Sequence, residues 1–151
     1  MNVSSEDPAE IDLQVAEHGP DVRVVTVTGQ IDVGTAWKLS TFLIAQLTVS
    51  RVVILDLDGV SFLGSSGLSA LFEANELAIQ QDHVLLLVCN SRPANRALAA
   101  AGLREYFIFS SGVADAVTGS APYGTFRAGS ARQYVNKSWK KHVKVVAAQV
   151  R

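Results

Sequence analysis

The sequence predicts an α/β domain in which a mixed central sheet of about four to five strands carries helices packed on one side, followed by a basic C-terminal tail. Two runs, RVVILDL at 51–57 and HVLLLVC at 83–89, are almost entirely apolar, as is typical of strands inside a sheet. Patterns with helical spacing lie between and after these runs, and a hairpin precedes them. Strands and helices therefore alternate along the chain, which is the arrangement of an α/β fold.

The first third of the chain predicts a hairpin and then a helix. Residues 12–17 and 22–29 are rich in β-branched side chains, and the turn-forming segment HGPD joins them, with Gly29 ending the second strand. From Thr35 to about Val49 apolar residues recur at steps of three and four, which predicts a helix with one face on the core. The inward positions are Ala36, Leu39, Leu43 and Leu47, and the outward ones are Trp37, Thr41 and Ile44.

Three more helices and a short strand are predicted after the first apolar run. One helix follows Ser65 and Ser66 and runs to about Gln80. The next lies at 93–102, where Pro93 suits the first turn and Gly102 the C-terminal cap. YFIF at 106–109 predicts the strand, and GVADAVTG a last short helix. The inward stripe of the helix after the serines is Leu68, Leu71, Ala74 and Ala78.

Length and composition predict one globular domain without a membrane span. The chain has 151 residues, 48% of them hydrophobic, which is enough for a core. It has neither a basic start followed by an apolar run nor an apolar stretch of about 18 residues, so we expect a cytoplasmic protein. The single cysteine, Cys89, cannot form an internal disulfide or a four-ligand zinc site, and its apolar setting predicts burial. We expect no cofactor and no metal.

The charges divide the chain into an acidic body and a basic tail. Residues 1–120 contain all 14 acids and six bases, a net charge of −8, whereas the last 31 residues contain seven bases and no acid, a net charge of +7. This split predicts a basic linker and tail at 120–151, separate from the domain at 11–119. Residues 1–10, before the first predicted strand, are expected to form an N-terminal extension.

The tail also has a helical pattern from Tyr134 onwards. Its apolar residues recur at steps of three and four, with lysines around them, which predicts a basic amphipathic helix. Such a helix could contact its own domain, an anionic membrane or nucleic acid, or the segment could be a simple extension. We expect no nucleic-acid contact from the domain itself. The apolar positions are Val135, Trp139, Val143, Val146 and Val150, and the lysines are Lys137, Lys140, Lys141 and Lys144.

The segment FLGSSGLSALFEA at 62–74 places two serines before a predicted helix. A hydrolase nucleophile requires glycines two residues before and after the serine, and neither serine has both. A phosphate-binding loop is a nearer match, because Gly59 to Ser66 has its glycine spacing and a hydroxyl pair. The lysine that contacts the phosphates is absent, however, and Phe62 and Leu63 are bulky for such a loop.

The same serines also fit the start of a helix. Ser65 or Ser66 could cap the helix by accepting a backbone N–H, with Gly64 allowing the tight entry. A phosphate group on such a serine would meet free N–H groups and the positive end of the helix dipole. The position is therefore suited to capping, to phosphorylation, or to both.

Three segments resemble the STAS domain, specifically that of bacterial anti-sigma factor antagonists. They are GQID at 29–32, VVILDLDGVSFLGSSGLSAL at 52–71 and AGLREYF at 101–107. Their order and spacing cover residues 12 to about 118. The central segment is fairly specific for the family, and the other two are weaker.

The resemblance implies a partner switch in transcription regulation, as in bacterial stress responses. A protein of this kind is not an enzyme; it binds an anti-sigma factor that is also a serine kinase of the histidine-kinase-like ATPase type, and thereby releases the sigma factor. Phosphorylation of a serine breaks the complex, and a serine phosphatase resets it. Two other hypotheses stay open: a STAS subunit of a lipid-transport ABC complex, and a nucleotide-binding protein that uses the loop from Gly59 to Ser66.

The resemblance also implies the site residues. The phosphorylated serine is Ser65, with Ser66 as the alternative. Asp32 matches an acidic position after the second strand, where it could equally cap the helix that begins near Thr35. Many family members have an aspartate immediately before the serines, and here that position is Gly64, so Ser65 could instead be a docking surface that stays unmodified. The partner-binding residues implied are Asp32, Gly64, Ser65, Ser66, Gly67 and Leu68.

Overall fold

A computed structural model of the chain describes residues 10–118, which form five strands and four helices in the predicted order. The predicted extension and tail lie almost entirely outside the described residues, so their boundaries stay predictions. No helix among residues 10–118 is long and apolar enough to cross a membrane. The elements are β1 (Ile11–Glu17), β2 (Val22–Ile31), α1 (Ala36–Val49), β3 (Val52–Leu63), α2 (Ser65–Gln80), β4 (Val84–Val88), α3 (Arg92–Ala100), β5 (Ile108–Ser110) and α4 (Val113–Thr118).

The five strands form one mixed sheet in the order β1-β2-β3-β4-β5. β1 runs antiparallel to β2 as the hairpin predicted, and the other neighbours pair in parallel. β3 is longer than predicted, because it continues beside β2 until Ile31 pairs with Leu63. Two register shifts, after Thr26 and after Gly29, allow this extension past the polar residues that follow the apolar run.

The main core lies between one face of the sheet and helices α1, α2 and α3. The inward stripe of α1 is buried as predicted, and Trp37 and Ile44 lie on its outer side. The stripe of α2 differs from the prediction at four positions: Leu68 is partly exposed, whereas Gly67, Ala70 and Asn75 are also buried. Leu68 therefore belongs to the rim of the core and is available to a partner.

The opposite face of the sheet is also apolar, and we call it the second face. Helices α1 to α3 pack on one side as predicted, but the short α4 contributes Ala116 and Val117 to a separate cluster on the second face. The strand residues of this cluster are Val22 and Val24 of β2, Val52 and Ile54 of β3, Val84, Leu86 and Val88 of β4, and Ile108 of β5.

Candidate functional site

The predicted site residues gather where β2 and β3 end. Gln30 pairs with Phe62 and Ile31 with Leu63, so the two strands leave the sheet side by side. The Gly64 N–H then donates to the Ile31 carbonyl oxygen over 2.8 Å. This bond holds the turn before α2 against the loop that carries Asp32.

Helix α2 begins differently from the capping prediction. Its N-cap residue is Gly64, whose carbonyl accepts the first helical bond from the Leu68 N–H at 3.0 Å. No side chain caps this end, so the prediction that Ser65 or Ser66 does so is wrong. Both serines lie inside the first turn, where their hydroxyls are not used for capping.

The role predicted for Gly64 also needs correction. Its φ of −88° and ψ of −179° are open to any residue, so the turn does not depend on glycine's conformational freedom. A Cβ at this position would lie 3.1 Å from Cε2 of Phe62. The local constraint is therefore the ring of Phe62, which is about half exposed and has room to shift.

Ser65 is the exposed first residue of α2, and Ser66 after it is partly buried. The first N–H groups of any helix lack partners within the helix, and they form the positive end of its dipole. The first turn of α2 contains no acidic residue that would oppose an added negative charge. A phosphate on Ser65 would thus be placed at a favourable helix terminus and in contact with solvent.

Gly67 sets how closely α2 approaches the sheet. A Cβ at Gly67 would lie 2.6 Å from both Ile31 Cγ2 and Leu63 Cδ1, far closer than carbon atoms pack. Those two side chains belong to the ends of β2 and β3. The absence of a side chain at Gly67 therefore positions Ser65 next to both strand ends.

Asp32 organises the loop between β2 and α1. Its Oδ1 accepts the Gly34 N–H at 2.9 Å, and its carbonyl oxygen accepts the Ala36 N–H at 2.8 Å. The N-cap of α1 is Thr35, whose hydroxyl donates to the Gln30 carbonyl oxygen at 2.7 Å. Asp32 thus shapes the entrance of α1 without being its N-cap, and it remains partly exposed.

Three apolar side chains that the sequence did not mark as functional surround this site. Val33 is 84% exposed, Trp37 is 62% exposed and Phe62 is 49% exposed. They lie in the Asp32 loop, in the first turn of α1 and at the end of β3, all at the same edge of the sheet. The ammonium of Lys38, which pairs with Glu10, lies 5.9 Å from the ring centre of Trp37.

A shallow groove continues this surface along α2. Leu68, Phe72 and Leu103 supply its apolar lining, and Ser69 and Glu73 supply its polar rim. The ring of Phe72 stacks on Tyr106 with 4.8 Å between centres, and the Tyr106 hydroxyl donates to Glu76. Burial, followed by this bond to Glu76, raises the pKa of Tyr106 to about 12, so the hydroxyl stays a donor at neutral pH. The spacing of Leu68 and Phe72, one helical turn apart, was the available signal for this groove.

Neither histidine of the described residues lies near Ser65. His18 and His83 lie where the parallel strands begin, at the opposite edge of the sheet from Ser65. Burial raises the pKa of Cys89 to about 11, so this thiol is neutral at physiological pH. Within residues 10–118 no three His, Cys, Asp or Glu side chains are grouped to hold a metal ion.

The geometry also contradicts the phosphate-loop hypothesis. Residues 59–63 belong to strand β3, so they do not form a loop that could surround a phosphate. A Cβ at Gly59 would lie 2.6 Å from Cγ2 of Thr28. This glycine therefore serves the close approach of β2 and β3 and not the approach of a nucleotide.

The chain belongs to the STAS domain family, whose model matches residues 14–116. This match confirms the resemblance carried by the three sequence segments. It ends within α4 and therefore excludes the basic tail. A search of curated proteins gave no match.

Solved structures with the same fold include several anti-sigma factor antagonists. One from Mycobacterium paratuberculosis is 30% identical, with a TM-score of 0.67 over 74% of this chain and 95% of that one. One from Planctomyces limnophilus is 21% identical, with a TM-score of 0.58 over 72% and 95%. Phosphorylated SpoIIAA from Bacillus is 14% identical, with a TM-score of 0.53 over 66% and 92%. The last two likenesses show the common fold.

Proposed function

We propose that this protein is an anti-sigma factor antagonist that binds its partner through the edge of the sheet where β2 and β3 end. The observation that carries the proposal is the exposed Ser65 at the first position of α2, fixed beside the Asp32 loop by the bond from Gly64 to Ile31. The resemblance of this chain to the antagonist from Mycobacterium paratuberculosis supports the same role.

The binding surface combines apolar anchors with the two loops. Val33, Trp37 and Phe62 expose apolar area around Ser65, and aromatic side chains of this kind contribute most of the energy in many interfaces. Leu68, with its groove toward Phe72, extends the surface along α2. The partner is an anti-sigma factor of the histidine-kinase-like ATPase type, and its capture by this protein releases the sigma factor in the cytoplasm.

Phosphorylation of Ser65 is the proposed off switch, and a serine phosphatase reverses it. The phosphate adds about −1.5 to −2 charges at neutral pH. Free N–H groups at the start of α2 can donate hydrogen bonds to the phosphate without unfolding of the domain, so the domain keeps its shape while the surface changes its charge. A partner surface that fits the neutral Ser65 and its apolar surroundings would lose affinity because the new charge must be desolvated.

Gly64 distinguishes this site from family members that have aspartate there. An aspartate would place a negative charge one residue before the phosphorylated hydroxyl. Because Gly64 has no charged side chain, we expect the kinase to recognise Ser65 through the backbone and through the apolar residues around it.

The test begins with capture of the partner from a native lysate by the full-length chain, with identification of the bound proteins. Calorimetry with the captured anti-sigma factor then compares Ser65→Ala, Ser65→Glu and a control, Gln80→Glu, which adds a charge at the far end of the exposed side of α2. We expect unchanged affinity for Ser65→Ala and Gln80→Glu, and at least a tenfold loss for Ser65→Glu. Equal affinity of all four proteins would refute the charge switch.

A second assay separates phosphorylation from docking. The anti-sigma factor and ATP are added to the protein, and intact mass reports the gain of one phosphate group. We expect the gain in the natural sequence and in Ser66→Ala, and none in Ser65→Ala. Capture of a transporter ATPase in place of an anti-sigma factor would favour the lipid-transport alternative.

A further inference from the structure

The second face of the sheet is apolar across four strands. Its side chains alternate with those of the main core, so β2, β3, β4 and β5 each present apolar residues on both sides. Val22 and Val52 are 0% exposed, as are Ile54 and Leu86. These residues are as well buried as those under α1 and α2, which implies a cover on this side too.

The described part of α4 does not cover the whole face. Its six described residues, Val113–Thr118, extend over about 9 Å, whereas the four strands span about 14 Å between the outer strand axes and about 16 Å along the paired residues. α4 contacts β3 and β5, and it is the helix through which residues 10–118 contribute to this cluster. Val22 and Val24 lie on β2, which is on the side of β3 away from β5, yet they are only 0% and 4% exposed.

The chain continues from this same face. The described residues stop in α4 at Thr118, with the buried residues of α4 on the second face, and residues 119–151 follow directly. Fully stretched, residues 119–133 reach about 50 Å, so the linker can place residues 134–150 anywhere on the face. As a helix, residues 134–150 would be about 25 Å long, enough to cross the sheet from β4 to β2.

The pattern and the charge of the tail both fit this surface. At 100° per residue, its five apolar positions fall within one narrow stripe, and the lysines lie outside it. The tail carries seven bases and no acid, against a body with a net charge of −8. Asp12 of β1 and Asp56 of β3 point to the second face, because they alternate with its partners along their strands.

We propose that residues 134–150 form an amphipathic helix that docks on the second face across β2, β3 and β4 of the same chain. The stripe from Val135 to Val150 covers the apolar strand residues, and the flanking lysines approach Asp12, which is exposed on β1. Because α2 lies on the other side of the sheet, the docked tail leaves Ser65 open. The tail is then a structural third layer and does not mask the partner surface.

The two tryptophans of the chain provide the test. In a Trp37→Phe variant of the full-length protein, fluorescence reports Trp139 alone. We expect emission shifted to the blue and acrylamide quenching several-fold weaker than in a synthetic peptide of residues 119–151. In urea, this emission should shift at the same midpoint as the far-ultraviolet circular dichroism of the sheet. Emission and quenching equal to those of the free peptide would overturn the proposal.

Two matched variants, a dilution series and the addition of lipid vesicles identify what covers the second face. Val143→Asp places a charge in the apolar stripe and should expose Trp139, whereas Ala148→Asp lies on the opposite side of the helix and should not. Equal effects of both variants would contradict docking through the stripe. Protection of Trp139 that disappears on dilution would assign the face to a second copy. A blue shift that requires vesicles of anionic lipid would assign the tail to membranes, and either result would overturn intramolecular docking.

Discussion

Gly67→Ala tests whether the close contact between α2 and the strand ends holds the site together. The new methyl group would lie 2.6 Å from Ile31 Cγ2 and from Leu63 Cδ1. Optimal carbon contacts are about 3.5 Å or longer, so both distances from the new methyl group must increase by roughly 0.9 Å. Because the two obstructing side chains come from different strands, one rotamer change cannot relieve both contacts. The start of α2 must move away from the sheet.

The expected loss of stability follows from two opposing effects. Adding a methyl group to a tightly packed position costs about 1–3 kcal/mol. Replacing glycine by alanine in a helix returns about 1 kcal/mol. The net loss is therefore about 1 kcal/mol and at most about 2 kcal/mol, which lowers Tm by about 4 °C or more in a domain of this size.

Urea unfolding followed by circular dichroism measures this loss, with Gly64→Ala as the control. At Gly64 the added methyl group comes closest to the half-exposed ring of Phe62, at 3.1 Å, so we expect only the cost of replacing a glycine N-cap by alanine, about 0.5 kcal/mol. In the double variant with Leu63→Ala, the cost of Gly67→Ala should fall, because one of its two obstacles is gone. A Gly67→Ala protein as stable as the natural one would refute the packing described here.

Two further predictions concern charge. Gly64→Asp should raise the free energy of unfolding in urea by about 0.5 kcal/mol, since aspartate is a better N-cap and its charge suits the helix dipole; a loss of stability would mean that the Phe62 ring cannot shift. Burial raises the pKa of Asp56 above its ordinary value of 3.8, so the folded state favours the protonated form, and the stability from Asp56 falls as the pH rises through the interval between its unfolded and folded pKa values. Asp56→Asn should therefore be more stable than the natural protein at pH 7, and the difference in their free energies of unfolding should shrink below pH 4. The same difference at pH 7 and below pH 4 would refute a raised pKa for Asp56.

Most elements of the fold could be predicted because their signals are local. The apolar stripe of α1 and the run of β4 each decide their own structure. The length of β3 could not be predicted. Asp56, Asp58 and Gly59 suggest that the strand ends near them, but pairing with β2 continues the strand to Leu63. The sequence also could not predict which segment covers the second face. A continuous apolar run shows that a strand is buried, but it does not show which element buries it.

The site was predicted in part for a similar reason. The family motif located Ser65 at the start of α2, which the structure confirms. The capping residue was missed because capping depends on where the first helical bond closes, and Leu68 bonds to Gly64. The exposure of Val33, Trp37 and Phe62 depends on how three elements meet at one edge of the sheet, and no single segment of sequence contains that information.

The hydrogen bond from the Gly64 N–H to the Ile31 carbonyl oxygen has a kinetic consequence. It joins the turn that carries Ser65 to the loop that carries Asp32, with two backbone strands running behind them. If Ser65 is phosphorylated as proposed, this bond can persist in both states of Ser65, because it uses backbone atoms alone. Under that proposal, the time needed to change partners would be set by phosphoryl transfer and by dissociation of the complex.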